Sequence, residues 1–326
     1  MALRQKVTRN YEADEITLYQ AFDDFIEEKR ARNLSEKTLH NYRQSFDIFC
    51  KFYKFDEDTP ISTVNVRHFF KWMNTIKLDG IKPTSINHYL RDLRAFFYWT
   101  MDDTRAYLPR FKIEMTVSQE EQPKMFTDEE IEALLIKPRK KDTFVVFRTW
   151  AIVNWVLGTG NRASTICEIQ VGDIDFKKKE ITLRHTKNRK LQIIPLSSSL
   201  STVLKEYIKM WRNGSPSDAW LFPNIEDTQL TTNALRHSFS NYCKDRGVSR
   251  TNIHGLRHNF AKAWVQANGN LYQLQTMLGH ATLDMTRRYV RLFSEDIKED
   301  FDKFSPLDNI KRKQKRTQTI KKSNYE

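Results

Sequence analysis

A short stretch without regular periodicity divides this sequence into two regions. Residues 109–124, PRFKIEMTVSQEEQPK, have no repeating apolar pattern and carry a proline at each end, which is typical of an extended linker. A chain of 326 residues is also long enough to form two hydrophobic cores. We therefore expect two domains, over residues 14–108 and 126–304, joined by a linker over residues 109–125.

The region before the linker has the apolar periodicity of helices. Ser35 is a candidate N-cap for one helix, and Pro83 is a candidate first-turn residue for another. The second helix carries Arg91 and Arg94 on the side opposite its apolar stripe, so its polar face is cationic. With two further amphipathic stretches and no strand pattern, this region predicts a domain of about four helices.

The region after the linker combines helical patterns with one β-hairpin. Thr127 and Glu130 have the spacing of a capping box and open the domain. Two β-rich runs, ITL and LQIIPL, flank a polar Lys-Asn-Arg-Lys turn, which predicts an antiparallel hairpin. The expected fold class is therefore mainly α with a small antiparallel β-hairpin, followed by a basic tail over residues 305–326.

The net charge favours a polyanionic partner. The formal charge is +13, and the seven basic and two acidic residues from Pro306 onward leave +8 on the rest of the chain. A positive field of this kind attracts nucleic acid, because phosphate neutralisation releases counterions. Charge alone is equally compatible with a surface that only maintains solubility.

The remaining composition predicts a cytoplasmic protein. No apolar run approaches the roughly 20 residues of a membrane span, and the first residues lack the apolar core of a secretory signal. The three cysteines, Cys50, Cys167 and Cys243, have no CxxC spacing, which argues against a disulfide framework and a zinc site. We expect them to be reduced and mostly buried.

One predicted helix carries a basic cluster. In NIHGLRHNFAKAWV, helical geometry places His254 beside Arg257 and His258. Two histidines at this spacing also suit a metal, but the adjacent glutamate of metalloproteases is absent and an arginine precedes the second histidine. Downstream, Gly279 ends a helix, His280 lies in the turn, and Tyr289 lies on the next helix.

Four segments together resemble the motifs of the tyrosine recombinases, the phage integrase and Xer group. They are TGNR, TKNRKLQIIPL, HGLRH and LGHATLDMTRRY, and their order and spacing fit that family. The resemblance implies a two-domain, C-shaped clamp, with a helical core-binding domain before a mixed catalytic domain. The catalytic residues it implies are Arg162, Lys187, His254, Arg257, His280 and Tyr289.

One position departs from the family pattern. The family commonly has Glu or Asp three residues after its first arginine, whereas this chain has Thr165 there and its nearest acid is Glu168. The support of Arg162 is therefore left open.

The resemblance also implies a reaction. Tyr289 attacks phosphorus to give a 3′-phosphotyrosyl bond and a free 5′-hydroxyl, while Arg162 and Arg257 hold phosphate oxygens with their planar, permanently charged groups. His254 is expected to act as the base for the phenol, and Lys187 to protonate the leaving oxygen. His280 donates a hydrogen bond to the phosphate and helps to seat the tyrosine, while His258 only supports the site. No metal, ATP or other cofactor is expected.

The implied partner is double-stranded DNA with paired binding sites. Lys37, Asn41, Arg91 and Arg94 lie on basic helix faces of the first domain and are candidates for phosphate contacts. The resemblance further implies a homotetramer on two synapsed duplexes that exchanges strands through a Holliday junction, with accessory DNA-bending or directionality proteins as possible partners. The basic tail either docks on a neighbouring protomer or stays disordered.

Two alternatives to a site-specific recombinase of a phage or bacterial mobile element stay open. A type IB topoisomerase uses the same covalent chemistry to relax supercoils, although the Xer-like motifs disfavour it. A DNA-binding regulator that retains the fold without catalysis is favoured if Thr165 marks a decayed site, although the complete set of six residues argues against it.

Overall fold

The computed structural model describes residues 16–118, 123–184 and 191–293. The chain divides into two compact units, Met1–Glu121 and Gln122–Glu326, and most contacts lie within one unit or the other. Each unit has its own hydrophobic core.

The described part of the first unit is helical. Ser35 accepts a hydrogen bond from the Thr38 backbone at 3.2 Å, and Pro83 occupies the first turn of the fourth helix, so both predicted helix starts are confirmed. Stacked and edge-on aromatic rings fill the core, including Phe22 and Phe46 with ring centroids 3.8 Å apart. The helices are α1 (Leu18–Ala31), α2 (Glu36–Tyr53), α3 (Val66–Leu78) and α4 (Pro83–Thr100), with a 3₁₀ turn at Ile61–Thr63.

The second unit is built around one apolar helix. The predicted capping box is confirmed, because Thr127 and Glu130 exchange side-chain and backbone hydrogen bonds. Helix α6 buries side chains on most of its circumference, including Trp155 and Ile152, as expected of a central core helix. Its helices are α5 (Asp128–Leu135), α6 (Phe144–Thr159), α7 (Ala163–Cys167), α8 (Ser198–Trp211), α9 (Thr232–Lys244), α10 (His254–Gln266), α11 (Leu271–Leu278) and α12 (Leu283–Phe293).

A small sheet accompanies these helices. Strands β1 (Ile174–Asp175), β2 (Glu180–Leu183) and β3 (Gln192–Pro195) pair antiparallel in that order, and Ile181 faces Ile194 in the β2–β3 register. The predicted hairpin and the predicted fold class, mainly helical with a small antiparallel sheet, are confirmed. The turn at residues 185–190, which carries Lys187, lies outside the described residues.

Two glycines end helices at positions that need a left-handed backbone. Gly160 ends α6 with φ of 67°, and a Cβ there would lie 2.5 Å from Cδ1 of Phe260. Gly279 ends α11 with φ of 59°, which confirms the predicted helix stop. Glycine accepts this conformation without the steric cost that a Cβ adds. Both helix ends are thereby fixed beside α10.

The cysteines have the burial that the sequence led us to expect. Cys50, Cys167 and Cys243 are free and buried, and burial raises the pKa of each thiol to about 12. Of the helices that the structure describes, none has both the length and the apolar surface that a membrane crossing needs.

Candidate active site

Arg257 is the buried centre of the predicted site. Its side chain on α10 is only 2% exposed. Nη1 donates to the Gly160 carbonyl at 2.8 Å, and Nη2 donates to the Leu278 carbonyl at 3.0 Å and contacts Nε2 of His280 at 2.8 Å. Its Nε is buried and finds no acceptor within the described part of the chain. The guanidinium is thus held in one orientation with its Nε–H unused.

Arg162 approaches the same acceptors from another element. It is the N-cap residue of α7, and its Nη1 donates to the carbonyls of Leu278 at 3.1 Å and Gly279 at 3.2 Å. The Leu278 carbonyl therefore accepts hydrogen bonds from Arg162 and Arg257 together. Two residues that are 95 positions apart in the printed sequence are joined through one backbone oxygen.

The sequence left open which group supports Arg162, because Thr165 occupies the position of the family's usual acid. The C-terminus of α11 supplies that support. The last carbonyls of a helix carry partial negative charge and have no partner within the helix, so they suit the two guanidinium groups. Thr165 is half-buried in α7. From the sheet, Gln192 of β3 donates to the Thr276 carbonyl of α11. Helix α11 therefore contacts both Arg162 and the strand that follows the hairpin turn.

The contacts of His280 define its tautomer. A guanidinium has donors only, so Nε2 of His280 must accept from Arg257. The proton of the neutral ring then lies on Nδ1, which donates to the Thr286 hydroxyl at 2.9 Å. Thr286 is fully buried and was not among the residues predicted from the sequence. It fixes the ring of His280 through the nitrogen that faces away from Arg257.

Tyr289 lies inside this cluster. Its side chain is 5% exposed and packs with Ala261, Leu274 and Leu278. The hydroxyl lies 2.9 Å from Nδ1 of His258, and the charge of Arg257 is near enough to lower its pKa against the effect of burial. The predicted nucleophile is therefore brought to the same point as the two arginines.

The histidine beside the hydroxyl differs from the one expected. The sequence interpretation gave the base role to His254 and a supporting role to His258, but the ring at hydrogen-bond distance from Tyr289 is that of His258. His254 is the more exposed of the two residues, and its ring lies edge-on to that of His258, with ring centroids 4.7 Å apart. The i, i+4 spacing on α10 brings the two histidines together, and only the packing of α12 decides which one meets the tyrosine.

The electrostatics of the cluster follow from burial and from the two arginines. Burial, together with neighbouring cations, lowers the pKa of His254, His258 and His280 to about 4 in each case. Burial also lowers the pKa of Arg257 to about 10, and it raises the pKa of Tyr289 against the opposing effect of the arginines. At neutral pH the three rings are neutral, and the arginines carry the positive charge of the site.

These shifts predict a pH-dependent stability. A histidine whose folded pKa lies below its unfolded value of 6.5 stabilises the fold above pH 6.5, and this contribution is lost as the pH falls toward 4. We expect the free energy of unfolding to fall between pH 7 and pH 5 by on the order of 2 kcal/mol from His258 and His280. Urea unfolding at both pH values measures it.

The control for this prediction is the double variant His258→Asn/His280→Asn. Because asparagine does not titrate, this variant should lose most of the pH dependence in the same interval. An equally steep loss of stability in the variant would mean that other groups cause it.

The predicted DNA-contacting residues lie on the helices of the first unit. Lys37 and Arg91 are exposed, while Asn41 and Arg94 are half-buried. The guanidinium of Arg94 lies 5.2 Å from the ring centroid of Tyr98. Nothing in these contacts tests their assignment to DNA, which stays a prediction.

Over the ranges 16–118, 123–184 and 191–293, no group of three or more His, Cys, Asp and Glu side chains is arranged to hold a metal ion. The predicted proton donor, Lys187, lies outside those ranges. The structure therefore gives the position of five of the six predicted catalytic residues.

Comparison with protein families gives two matches. Residues 124–296 match the model of the phage integrase family, and residues 20–103 match the phage integrase N-terminal SAM-like domain. Tyrosine recombinase XerC of Staphylococcus aureus is 26% identical over 274 residues, which cover 83% of this chain and 91% of that protein.

Solved structures share the fold. The Tn1549 transposon integrase in complex with a circular intermediate DNA has a TM-score of 0.66 and 22% identity, covering 84% of this chain and 95% of that one. A lambda integrase tetramer bound to a Holliday junction has a TM-score of 0.66 and 16% identity, covering 85% of this chain and 78% of that one. With the family match over more than half of its length, the chain belongs to the phage integrase family of tyrosine recombinases.

Proposed function

We propose that this chain cuts and rejoins DNA at specific sites through a covalent bond between Tyr289 and a 3′ phosphate. One observation carries the proposal: a buried tyrosine hydroxyl lies 2.9 Å from a histidine nitrogen and near an arginine that is itself held by three acceptors. Members of the family are site-specific DNA recombinases.

The arginines supply hydrogen-bond donors for the charge that develops on the phosphodiester oxygens in the transition state. Within the described ranges Arg257 Nε is a buried donor without an acceptor, and a phosphate oxygen is the kind of acceptor that would satisfy it. Arg162 uses only Nη1 for its bonds to Leu278 and Gly279 in the described part of the chain, so its other nitrogens stay available. Fixed donors aimed at developing charge stabilise the transition state because they need no reorganisation.

The other predicted residues complete the reaction. Attack by Tyr289 on phosphorus forms a 3′-phosphotyrosyl bond and breaks the bond to the 5′ oxygen, which takes a proton from Lys187. His254 would lie beside the phosphate, whereas His280, whose Nε2 accepts from Arg257, would hold the guanidinium in place rather than donate to the phosphate as the sequence led us to expect. Reversal of the same steps with a different 5′-hydroxyl rejoins the strand, and no ATP is needed because the bond energy is conserved.

We extend the proposal to the assembly. Residues 14–108 form a DNA-clamping domain and residues 126–304 the catalytic domain, with the linker over 109–125 between them and a basic tail over 305–326. The lambda integrase relative is described as a tetramer bound to a Holliday junction, which supports a homotetramer on paired sites for this chain. Lys37, Asn41, Arg91 and Arg94 would contact phosphates.

A covalent-capture experiment tests the proposed chemistry without knowledge of the target. The wild-type protein is incubated with a pool of nicked duplexes of randomised sequence, so that the short fragment released by cleavage diffuses away and traps the adduct. We expect a complex that survives SDS, a reproducible DNA sequence among the trapped molecules, and a DNA-linked peptide that contains Tyr289. Sequence-specific binding without any adduct would contradict the enzyme and favour a regulator that has lost catalysis.

A further inference from the structure

The His258 side chain makes a contact that its position in the sequence motif does not explain. Its Nδ1 lies 2.9 Å from the Tyr289 hydroxyl, and the two rings are tilted by 48° with centroids 5.7 Å apart. The ring is half-buried and borders on His254 on its other side. The contact is therefore made by a ring whose position is fixed on two sides.

The protonation of the pair gives the hydrogen bond a direction. At neutral pH the ring of His258 is neutral, because burial and the adjacent cations lower its pKa to about 4. Arg257 also acts on the hydroxyl, because its positive charge lowers the pKa of Tyr289 against the effect of burial. In the neutral tautomer whose proton lies on Nε2, Nδ1 of His258 is the acceptor and the Tyr289 hydroxyl is the donor of this hydrogen bond.

We propose that His258 is the proton acceptor for Tyr289 during strand cleavage, and this proposal rests on the cleavage chemistry proposed above. The Oη–H bond of Tyr289 breaks as the Oη–P bond forms, and the proton passes to Nδ1 of His258. The bond from phosphorus to the 5′ oxygen breaks, and that oxygen takes its proton from Lys187. On rejoining, His258 returns its proton to the leaving phenol.

The charges around His258 determine when it can accept a proton. The ring faces His254 and Arg257 of its own helix, Arg288 and Tyr289 of α12, and His280 of the preceding turn. In the free protein the positive charges of the arginines oppose protonation of the His258 ring. A bound phosphate places negative charge beside the same arginines, so DNA should raise the basicity of His258 when a base is required.

A substrate with a sulfur in place of the 5′-bridging oxygen separates the base from the acid. A thiolate leaves without a proton donor, so this substrate should restore the cleavage rate of Lys187→Ala. It should not restore the rate of a variant that lacks the base. A duplex recovered from the covalent-capture pool is synthesised with either atom at that position. Single-turnover adduct formation is then measured for the wild type and for His258→Asn, His258→Ala and Lys187→Ala.

Loss of the base should slow cleavage by about a hundredfold at pH 7 with either leaving atom. Asparagine places an amide near the position of Nδ1, so it can hold the hydroxyl but cannot accept its proton. We expect the rate of the wild type to fall at low pH as His258 becomes protonated, and His258→Asn to show instead a steady rise toward the pKa of the phenol. Added imidazole should partly restore His258→Ala.

The matched control is His237→Asn, which changes an exposed histidine of α9 outside the arginine and histidine cluster and should cleave at the wild-type rate. Cleavage by His258→Asn within about twofold of the wild type, with the same pH profile, overturns the proposal. So does a slow His258→Ala variant that imidazole does not restore. Absence of an adduct in the wild type overturns the cleavage chemistry itself, and this proposal with it.

Discussion

Replacing Tyr289 by phenylalanine should abolish covalent attachment to DNA while the fold stays intact. The phenyl ring keeps the packing against Ala261, Leu274 and Leu278, and only the hydroxyl that contacts His258 is lost. Removing a nucleophile of this kind should lower the rate of adduct formation by at least about 10⁴-fold. The lost hydrogen bond should cost about 1 kcal/mol of unfolding free energy.

The measurements for this variant are single-turnover adduct formation, DNA binding and urea unfolding. Tyr272→Phe is the matched control, because Tyr272 lies on the neighbouring helix α11 and is 69% exposed, and it should behave as the wild type. If Tyr289→Phe still forms an SDS-stable complex at a comparable rate, the nucleophile is another residue.

Arg257→Lys should also lose most of its activity, although it preserves the charge. A lysine is a point donor and cannot reach the carbonyls of Gly160 and Leu278 together with His280, all of which Arg257 bonds. Removing a fixed donor from a site of developing charge costs about 10²–10³-fold in rate. Because Arg257 is 2% exposed, the unpaired carbonyls and the buried ammonium should also destabilise the fold by about 3 kcal/mol.

Thermal denaturation and adduct formation together test this variant. The control is Arg287→Lys on α12, where the side chain is 61% exposed and, among the described residues, pairs with Asp284, so its stability should change by less than about 0.5 kcal/mol. Wild-type cleavage by Arg257→Lys would show that charge alone is sufficient and that the bidentate geometry has no catalytic role.

Local features of the fold could be predicted because they depend on neighbouring residues. The capping box of Thr127 and Glu130, the helix stop at Gly279 and the hairpin of β2 and β3 each arise from residue types within a few positions of one another. Short-range hydrogen bonds and backbone preferences determine such features. The motif pattern also identified five residues that the fold brings to one place.

The relations between distant elements could not be predicted in the same way. The contact of His258 with Tyr289 spans 31 positions and depends on how α12 packs against α10. The support of Arg162 comes from backbone carbonyls at the end of α11. Because every residue has a carbonyl, the residue types in the sequence do not indicate this support. The absence of an acid at Thr165 is for that reason compatible with a well-held arginine.

The carbonyl of Leu278 serves Arg162 and Arg257 at once, so the two cations have no independent positions. A displacement of the last turn of α11 lengthens both sets of hydrogen bonds in the same movement. Because Gln192 ties β3 to that turn, a displacement of the hairpin strand reaches the arginines by the same route. The end of α11 therefore controls the positions of both arginines, and its movement would disengage them together.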